Sequence, residues 1–238
     1  MLFCYYYFVA KPKKLNFRLI EKATLGVAAL VSAYLFFQNQ QLRQQGVAVV
    51  GVYDGDTLIL ADNKARVRLR HVDAPELEYC GGPQAKEVLA KLVEGKKVII
   101  KEQIPDSSGR AMALVYVGRK LINLEMLASG WARYHHDQST QADKLKAVAD
   151  QVKAERQGLF SPLCYQTENL AKPDCLIKGN QDKNSTKRLY YFPGCAQYDF
   201  TIVEKDLGEN WFCSEKEAQQ AGFTRSATCP AKWYAVPS

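Results

Sequence analysis

Three short stretches carry the side chains that could do chemistry: Asp54-Gly55-Asp56-Thr57, Arg68-Leu69-Arg70-His71-Val72-Asp73-Ala74-Pro75-Glu76, and Gly109-Arg110. Asp-Gly is hairpin-turn chemistry, which puts Asp56 at a tip. Asp73 and Glu76 follow a Val/Leu/Arg run that reads as a strand. Where the two strands pair, these carboxylates converge, and converging hard oxygens suit Ca²⁺ or Mg²⁺. Arg68 and Arg110, from different strands, add bidentate donors for a phosphate. A divalent cation, a spare carboxylate and two arginines are a kit for phosphodiester hydrolysis. The cation and arginines offset charge building on phosphorus, and the carboxylate orients or deprotonates water. The D-G-D-T turn alone is a common hairpin; the combination is what is specific.

The elements that must position these groups are short. Strands are expected over 47–53, 57–60, 66–72, 97–103 and 111–117, broken by Asp54-Gly55 and Asp62-Asn63. Pro83 opens a helix through Val93, with Ala85, Val88, Leu89 and Leu92 on one face and Gly95 closing it. Residues 121–129 and 141–157 read as helices ended by Gly130 and Gly158. Five strands with interspersed helices give an α+β class, a five-stranded OB-type β-barrel with added helices. After Ser161-Pro162 the texture changes. The expected organisation is a basic tail with a hydrophobic helix (1–44), the barrel domain (45–164), a linker (165–174) and a small cysteine-rich module (175–230). In that module Ser214 is a plausible N-cap with Glu217 at the third position, a capping box, and Gly222 ends the helix.

The net charge of +7 is unevenly placed. Residues 1–44 hold six basic residues against Glu21, residues 45–165 hold 17 against 15, and residues 166–238 hold nine of each. Most of the excess therefore flanks the uncharged run 23–37, so bulk charge makes no case for nucleic-acid binding. That run, at about 1.5 Å per residue, is short of a ~30 Å hydrocarbon core. Basic residues before it and glutamines after it keep the N-terminus in the cytoplasm and send the rest across. A signal peptide, cleaved near Val31-Ser32-Ala33, and an uncleaved signal-anchor both fit, against a buried helix of a soluble domain. Export to a periplasmic or extracellular location is expected, with membrane contact through 23–37 if the run is retained.

Beyond Cys4, the chain has Cys80, Cys164, Cys175, Cys195, Cys213 and Cys229, an even number with no C-x-x-C pair. That favours disulfides in an oxidising compartment over zinc, although Cys195, Cys213 and Cys229 with a fourth ligand could hold a metal.

Over residues 46–160 the chain resembles the staphylococcal (thermonuclease) nuclease family. The resemblance rests on Y-D-G-D-T at 53–57, R-V-R-L-R-H-V-D-A-P-E at 66–76, the helix opening near Pro83-Gln84-Ala85, and S-S-G-R-A-M-A-L-V-Y at 107–116. The stretch 121–131 and the ending Gly158-Leu159-Phe160 also match. It implies an OB-fold barrel and Ca²⁺-dependent cleavage of DNA and RNA. By position it makes Asp56 and Asp73 calcium ligands, joined by the backbone carbonyl of Ala74, where the family commonly has Thr. Arg68 and Arg110 become the phosphate-stabilising pair and Glu76 the general base. Ser107-Ser108 replaces a common Lys-Tyr pair, and His135-His136 stands near the family's nucleotide-flanking tyrosines, where the two histidines either contact substrate or are loop residues. His71 is assigned to the strand.

Cys80 and Cys164 lie four residues past Glu76 and Phe160, and a bridge between them would tie the active-site loop to the C-terminal helix. The terminal module resembles one found behind exported bacterial nucleases and is distantly similar to the zinc domain of DNA alkylation-repair proteins, whose C-x-x-C it lacks. The pairings preferred for it are Cys195–Cys213 and Cys175–Cys229. Asn184-Ser185-Thr186 fits a glycosylation sequon. The expected protein is an exported, monomeric Ca²⁺-dependent nuclease acting on DNA and RNA. The alternatives are a non-catalytic OB-fold nucleic-acid-binding protein and a structural envelope protein whose terminal module does the work.

Overall fold

In this computed structural model the described residues are 30–35, 46–182 and 187–231. Residues 30–35 are helical and exposed. The rest of the run 23–37, the tail before it and the sequon at 184–186 lie outside the described residues. Among the described residues no helix is long and apolar enough to cross a membrane. Residues 46–238 group as one compact unit.

That unit begins with β1 (Val47–Val52), β2 (Thr57–Leu60), β3 (Arg66–Leu69) and β4 (Val72–Asp73), followed by α1 (Gly82–Val93). Next come β5 (Lys97–Pro105), β6 (Ala111–Val117), β7 (Lys120–Leu121), α2 (Ile122–Ala128), β8 (Arg133–Tyr134) and α3 (Ala142–Ala154). β1, β2 and β3 pair antiparallel in succession, β5 flanks β1, and β6 flanks β5. β6 also runs parallel to β3, with Val67 opposite Ala111 and Leu69 opposite Ala113. The pairing therefore circles through β1, β2, β3, β6 and β5 and returns to its start.

Period-two alternation decides which way each strand faces. In β3, Val67 and Leu69 are buried while Arg66 and Arg68 are not. The inward residues join Leu58, Leu114 and Val115 in one core, closed by Ala85, Leu89 and Val93 at helical spacing along α1. Gly55 at the first hairpin tip allows a close approach. A β-carbon there would stand 2.4 Å from the Ala85 Cβ and 2.6 Å from the Ala74 Cβ.

The strand expected over 66–72 breaks at Arg70-His71. His71 takes a left-handed φ of 63°, and Val72 and Asp73 leave β3 to pair with Tyr134 and Arg133 of β8. The contacts that hold the break are polar. Buried Arg70 donates to the Asp137 carboxylate (2.7 Å), the Glu102 carbonyl (2.8 Å) and the Gln138 carbonyl. The His71 ring is buried, stacked on Tyr134 with centroids 5.6 Å apart, and its Nε2 shares a hydrogen bond with the Ser139 hydroxyl at 2.7 Å. Burial holds its pKa below the usual histidine value.

The chain continues through β9 (Tyr165–Gln166), β10 (Ile177–Gln181), β11 (Arg188–Tyr191), β12 (Val203–Glu204), β13 (Asn210–Phe212), α4 (Glu215–Gln220) and β14 (Thr224–Arg225). A four-stranded sheet in the order β13-β10-β11-β14 packs over Ile177, Phe192, Phe212 and Phe223. Ser214 caps α4, accepting from the Glu217 amide at 3.2 Å, while the Glu217 carboxylate accepts from the Cys213 amide at 2.9 Å.

Three disulfides join Cys80 to Cys164, Cys175 to Cys213 and Cys195 to Cys229. The last two correct the pairings preferred from the sequence, and register is the reason. Ile177 lies opposite Phe212 across β10 and β13, which places Cys175 beside Cys213. The Ala196 amide donates to the Thr228 carbonyl, which brings Cys195 to Cys229. Sequence spacing carries no information about that register.

Candidate active site

The turn after β1 presents Asp56 with its side chain buried rather than splayed into solvent. Its amide donates to the Asp54 carboxylate (3.1 Å), an Asx-type contact that shapes the tip. One carboxylate oxygen of Asp56 accepts from the Thr57 hydroxyl at 2.8 Å. The other accepts from the Ala74 amide at 3.2 Å and meets Arg68 Nη2 at 2.8 Å. Thr57 lies opposite Arg68 across β2 and β3, so this meeting follows from strand register. The same Nη2 reaches the Asp73 carboxylate at 2.6 Å. Burial pushes the Asp56 carboxyl up to about 7 against the pull of Arg68, with Asp54 adding to the rise.

Asp56, Arg68, Asp73 and Ala74 are thus brought together. Glu76 and Arg110 flank the cluster without a hydrogen bond to it among the described residues. Glu76 is exposed in the turn after Pro75, and its carbonyl accepts from the Tyr79 amide at 2.9 Å. Gly82 lets that turn sit on the start of α1, since a β-carbon there would fall 2.1 Å from the Glu76 carbonyl oxygen. Arg110 is exposed, and its Nε donates to Asp106 at 2.6 Å. The other Asp106 oxygen accepts from the Ser108 and Arg110 amides at 2.8 Å each. This ties the 106–110 loop into a fixed turn at the mouth of β6. Ala111 opposite Val67 then sets Arg110 beside the strand of Arg68. His135 and His136 are exposed, as are Ser107 and Ser108.

The donor set fits a hard divalent cation. Two carboxylate oxygens, one from Asp56 and one from Asp73, meet the same nitrogen of Arg68 at 2.8 and 2.6 Å, and the Ala74 amide contacts the Asp56 oxygen; hard oxygens of this kind suit Ca²⁺ or Mg²⁺. Among the described residues no group of three or more His, Cys, Asp or Glu side chains surrounds a single point. An ion here would therefore rest on two carboxylates, with carbonyl and water oxygens completing its shell.

Sequence reasoning missed several residues that shape the site. Asn123, on α2, is fully buried; its carbonyl accepts from the Val115 amide, and its amide donates to the Arg70 and Ala113 carbonyls. It stitches β6 to the break beyond Arg68. Arg133, opposite Asp73, is held by Asp206 (2.5 and 3.0 Å) and Glu204 (3.0 Å). A cavity of about 270 Å³ lies among Asp73, Glu76, Tyr79, Arg133, Asp206 and Leu207. No local pattern marks these partners, because Asn123 also holds Arg70, 53 residues away, and Arg133 is held from 71 and 73 residues away.

The family model described as staphylococcal nuclease homologue matches residues 66–162. An uncharacterized endonuclease of Haemophilus influenzae is 41% identical over 96 residues, 37% of this chain and 54% of that protein. Protein ParB of Escherichia coli is 32% identical over 126 residues, 48% of this chain and 71% of that protein. A probable staphylococcal-like nuclease, CAN1, of Oryza sativa subsp. japonica is 34% identical over 98 residues, 41% of this chain and 29% of that protein. The chain thus spans about half the length of the Haemophilus relative. The family match contains Arg68, Asp73, Glu76 and Arg110, and the turn bearing Asp56 precedes it.

Proposed function

The chain belongs to the family of staphylococcal nuclease homologues, and on that premise we propose that it is a Ca²⁺-dependent nuclease that hydrolyses phosphodiester bonds of DNA and RNA. One observation carries the reading. The side chains at the positions that chemistry needs are all present, and Arg68 Nη2 sits between the carboxylates of Asp56 and Asp73. The strand pairings that return from β6 to β3 support the five-stranded OB-type barrel of this reading.

In this reading Asp56, Asp73 and the Ala74 carbonyl hold Ca²⁺, which supplies a Lewis acid against the phosphate. Arg68 and Arg110 approach the phosphate from neighbouring strands and offset the charge that grows on its oxygens. Glu76, exposed and uncommitted to any ion pair among the described residues, is placed to orient or deprotonate the attacking water. The turn built by Asp106 presents the Arg110 guanidinium with little remaining backbone freedom. Three disulfides suit an oxidising compartment and support a periplasmic or extracellular location.

Digestion of single- and double-stranded DNA and of RNA in Ca²⁺, repeated with a chelator, tests this function. Cleavage that stops on chelation supports it. Binding without cleavage would instead favour a nucleic-acid-binding protein on the same barrel.

A further inference from the structure

We propose that residues 204–208 of the C-terminal module are a positioning element of the active site, with Asp206 acting through Arg133 to fix the loop that carries Glu76. The inference rests on the reading of Glu76 given above. Four independent contacts converge on that loop and on the strand beside it. The Arg133 guanidinium is gripped by Asp206 through Nε and Nη2 and by Glu204 through Nη2, and both carboxylates are buried. Arg133 in turn lies opposite Asp73, so its strand carries one carboxylate of the cluster.

The hydroxyl end of the Tyr79 side chain lies against Gly208, where a β-carbon would fall 2.7 Å from the Tyr79 Cζ, and Gly208 holds a left-handed φ of 78°. The Cys80 amide donates to the Lys205 carbonyl at 3.4 Å, and the Lys205 amide donates to the Cys164 carbonyl at 2.8 Å. The Cys80–Cys164 disulfide closes the same circuit covalently. β12, which contains Glu204, is itself held by β9, with Glu204 opposite Tyr165.

The arrangement makes physical sense as positioning. Glu76 sits on an exposed turn, and among the described residues no side chain bonds its carboxylate. General-base geometry tolerates little looseness. A buried carboxylate pair on an arginine is stable only as a set, since removing one member leaves charge uncompensated.

The test uses the full chain with its disulfides intact. Asp206→Asn, Asp206→Glu and Tyr79→Ala are compared with the wild type by amide hydrogen exchange and by cleavage kinetics. The expected result is at least tenfold faster exchange at residues 76–81 in Asp206→Asn and Tyr79→Ala, with β1, β2 and β3 unchanged. Their kcat falls at least tenfold while KM stays within threefold, and Asp206→Glu recovers most of the rate. Tyr79→Ala, which leaves the buried charges in place, decides the matter if Asp206→Asn does not fold. Unchanged exchange at 76–81 in folded variants overturns the proposal, as does a raised KM with unaltered kcat, which would make the segment a substrate contact. A wild type that exchanges as expected but cleaves nothing would refute the nuclease reading and leave the positioning contact standing.

Discussion

Arg68 owes its place to alternation along β3, which turns it out of the core, and to the register that sets it opposite Thr57. Its Nη2 is shared by two carboxylates, so replacing it removes charge and geometry together. Arg68→Ala is expected to lower kcat by roughly 10²–10³-fold, the usual cost of one transition-state donor. Arg68→Lys should recover only part of this, because an ammonium lacks the planar fork; steady-state cleavage rates check both. Asn123 is a different kind of residue. Asn123→Leu takes the side-chain partner from the Val115 amide and the Arg70 carbonyl, while the Ala113 carbonyl keeps the Arg70 amide. Stability should fall by roughly 3 kcal/mol in urea denaturation, within the range for unsatisfied buried groups. That Asp56, Arg68 and Asp73 meet was legible because turn chemistry and alternation are local. Asn123 was not, since an asparagine inside a helix looks the same in sequence whether it faces water or three backbone groups.

Among the elements, the strands and helices of the first half were readable to within a few residues: 57–60 and 111–117 match β2 and β6, and the Pro83 helix begins at Gly82. The break at His71 and the short strands β4 and β8 were not, because their partners come from distant loops. In the terminal sheet the capping of α4 was visible in the sequence, whereas the disulfide pairing needed the β10–β13 register. Glu209 gives this element a pH dependence. It is buried, accepting from the Asn180 side chain and from the Gln181 and Glu204 amides at 2.9, 2.8 and 2.7 Å. Burial nevertheless pushes its pKa up to about 6 from 4.5. A raised carboxyl pKa means the folded state binds the proton more tightly than the unfolded chain. Its stabilising contribution is therefore present below pH 4.5 and lost as pH rises through 6. Glu209→Gln should flatten that slope while lowering stability, because one oxygen that now accepts from a backbone amide becomes a donor. Urea denaturation at several pH values between 4 and 7, for both proteins, checks the two effects together.

At the scale of the whole molecule, the barrel strands and the terminal sheet share one body, joined by β9 with β12 and by Arg133 with its two carboxylates, while the Cys80–Cys164 bond ties the Glu76 loop to the segment that follows Phe160. That bond spans 84 residues. By the loop-entropy argument its removal should cost about 4.6 kcal/mol. Cys80→Ser combined with Cys164→Ser, measured by denaturation, is expected to show a loss of that order, larger than loss of a surface ion pair. Alkylation of the native protein without reductant should leave all six of these cysteines unmodified. Recovery of a labelled Cys80 peptide would overturn the pairing.

The reach of Asp206 back to Arg133, across 73 residues, also bears on how the molecule is made. A chain synthesised from its N-terminus has every strand of the barrel in hand well before residue 206 exists. The wall of the cleft beside Glu76 that Asp206 and Leu207 supply is then the last to be made. A chain not yet extended past residue 206 would carry the barrel strands without that wall. The order of synthesis thus sets a delay between a folded barrel and a finished cleft, timed by the chain's own length.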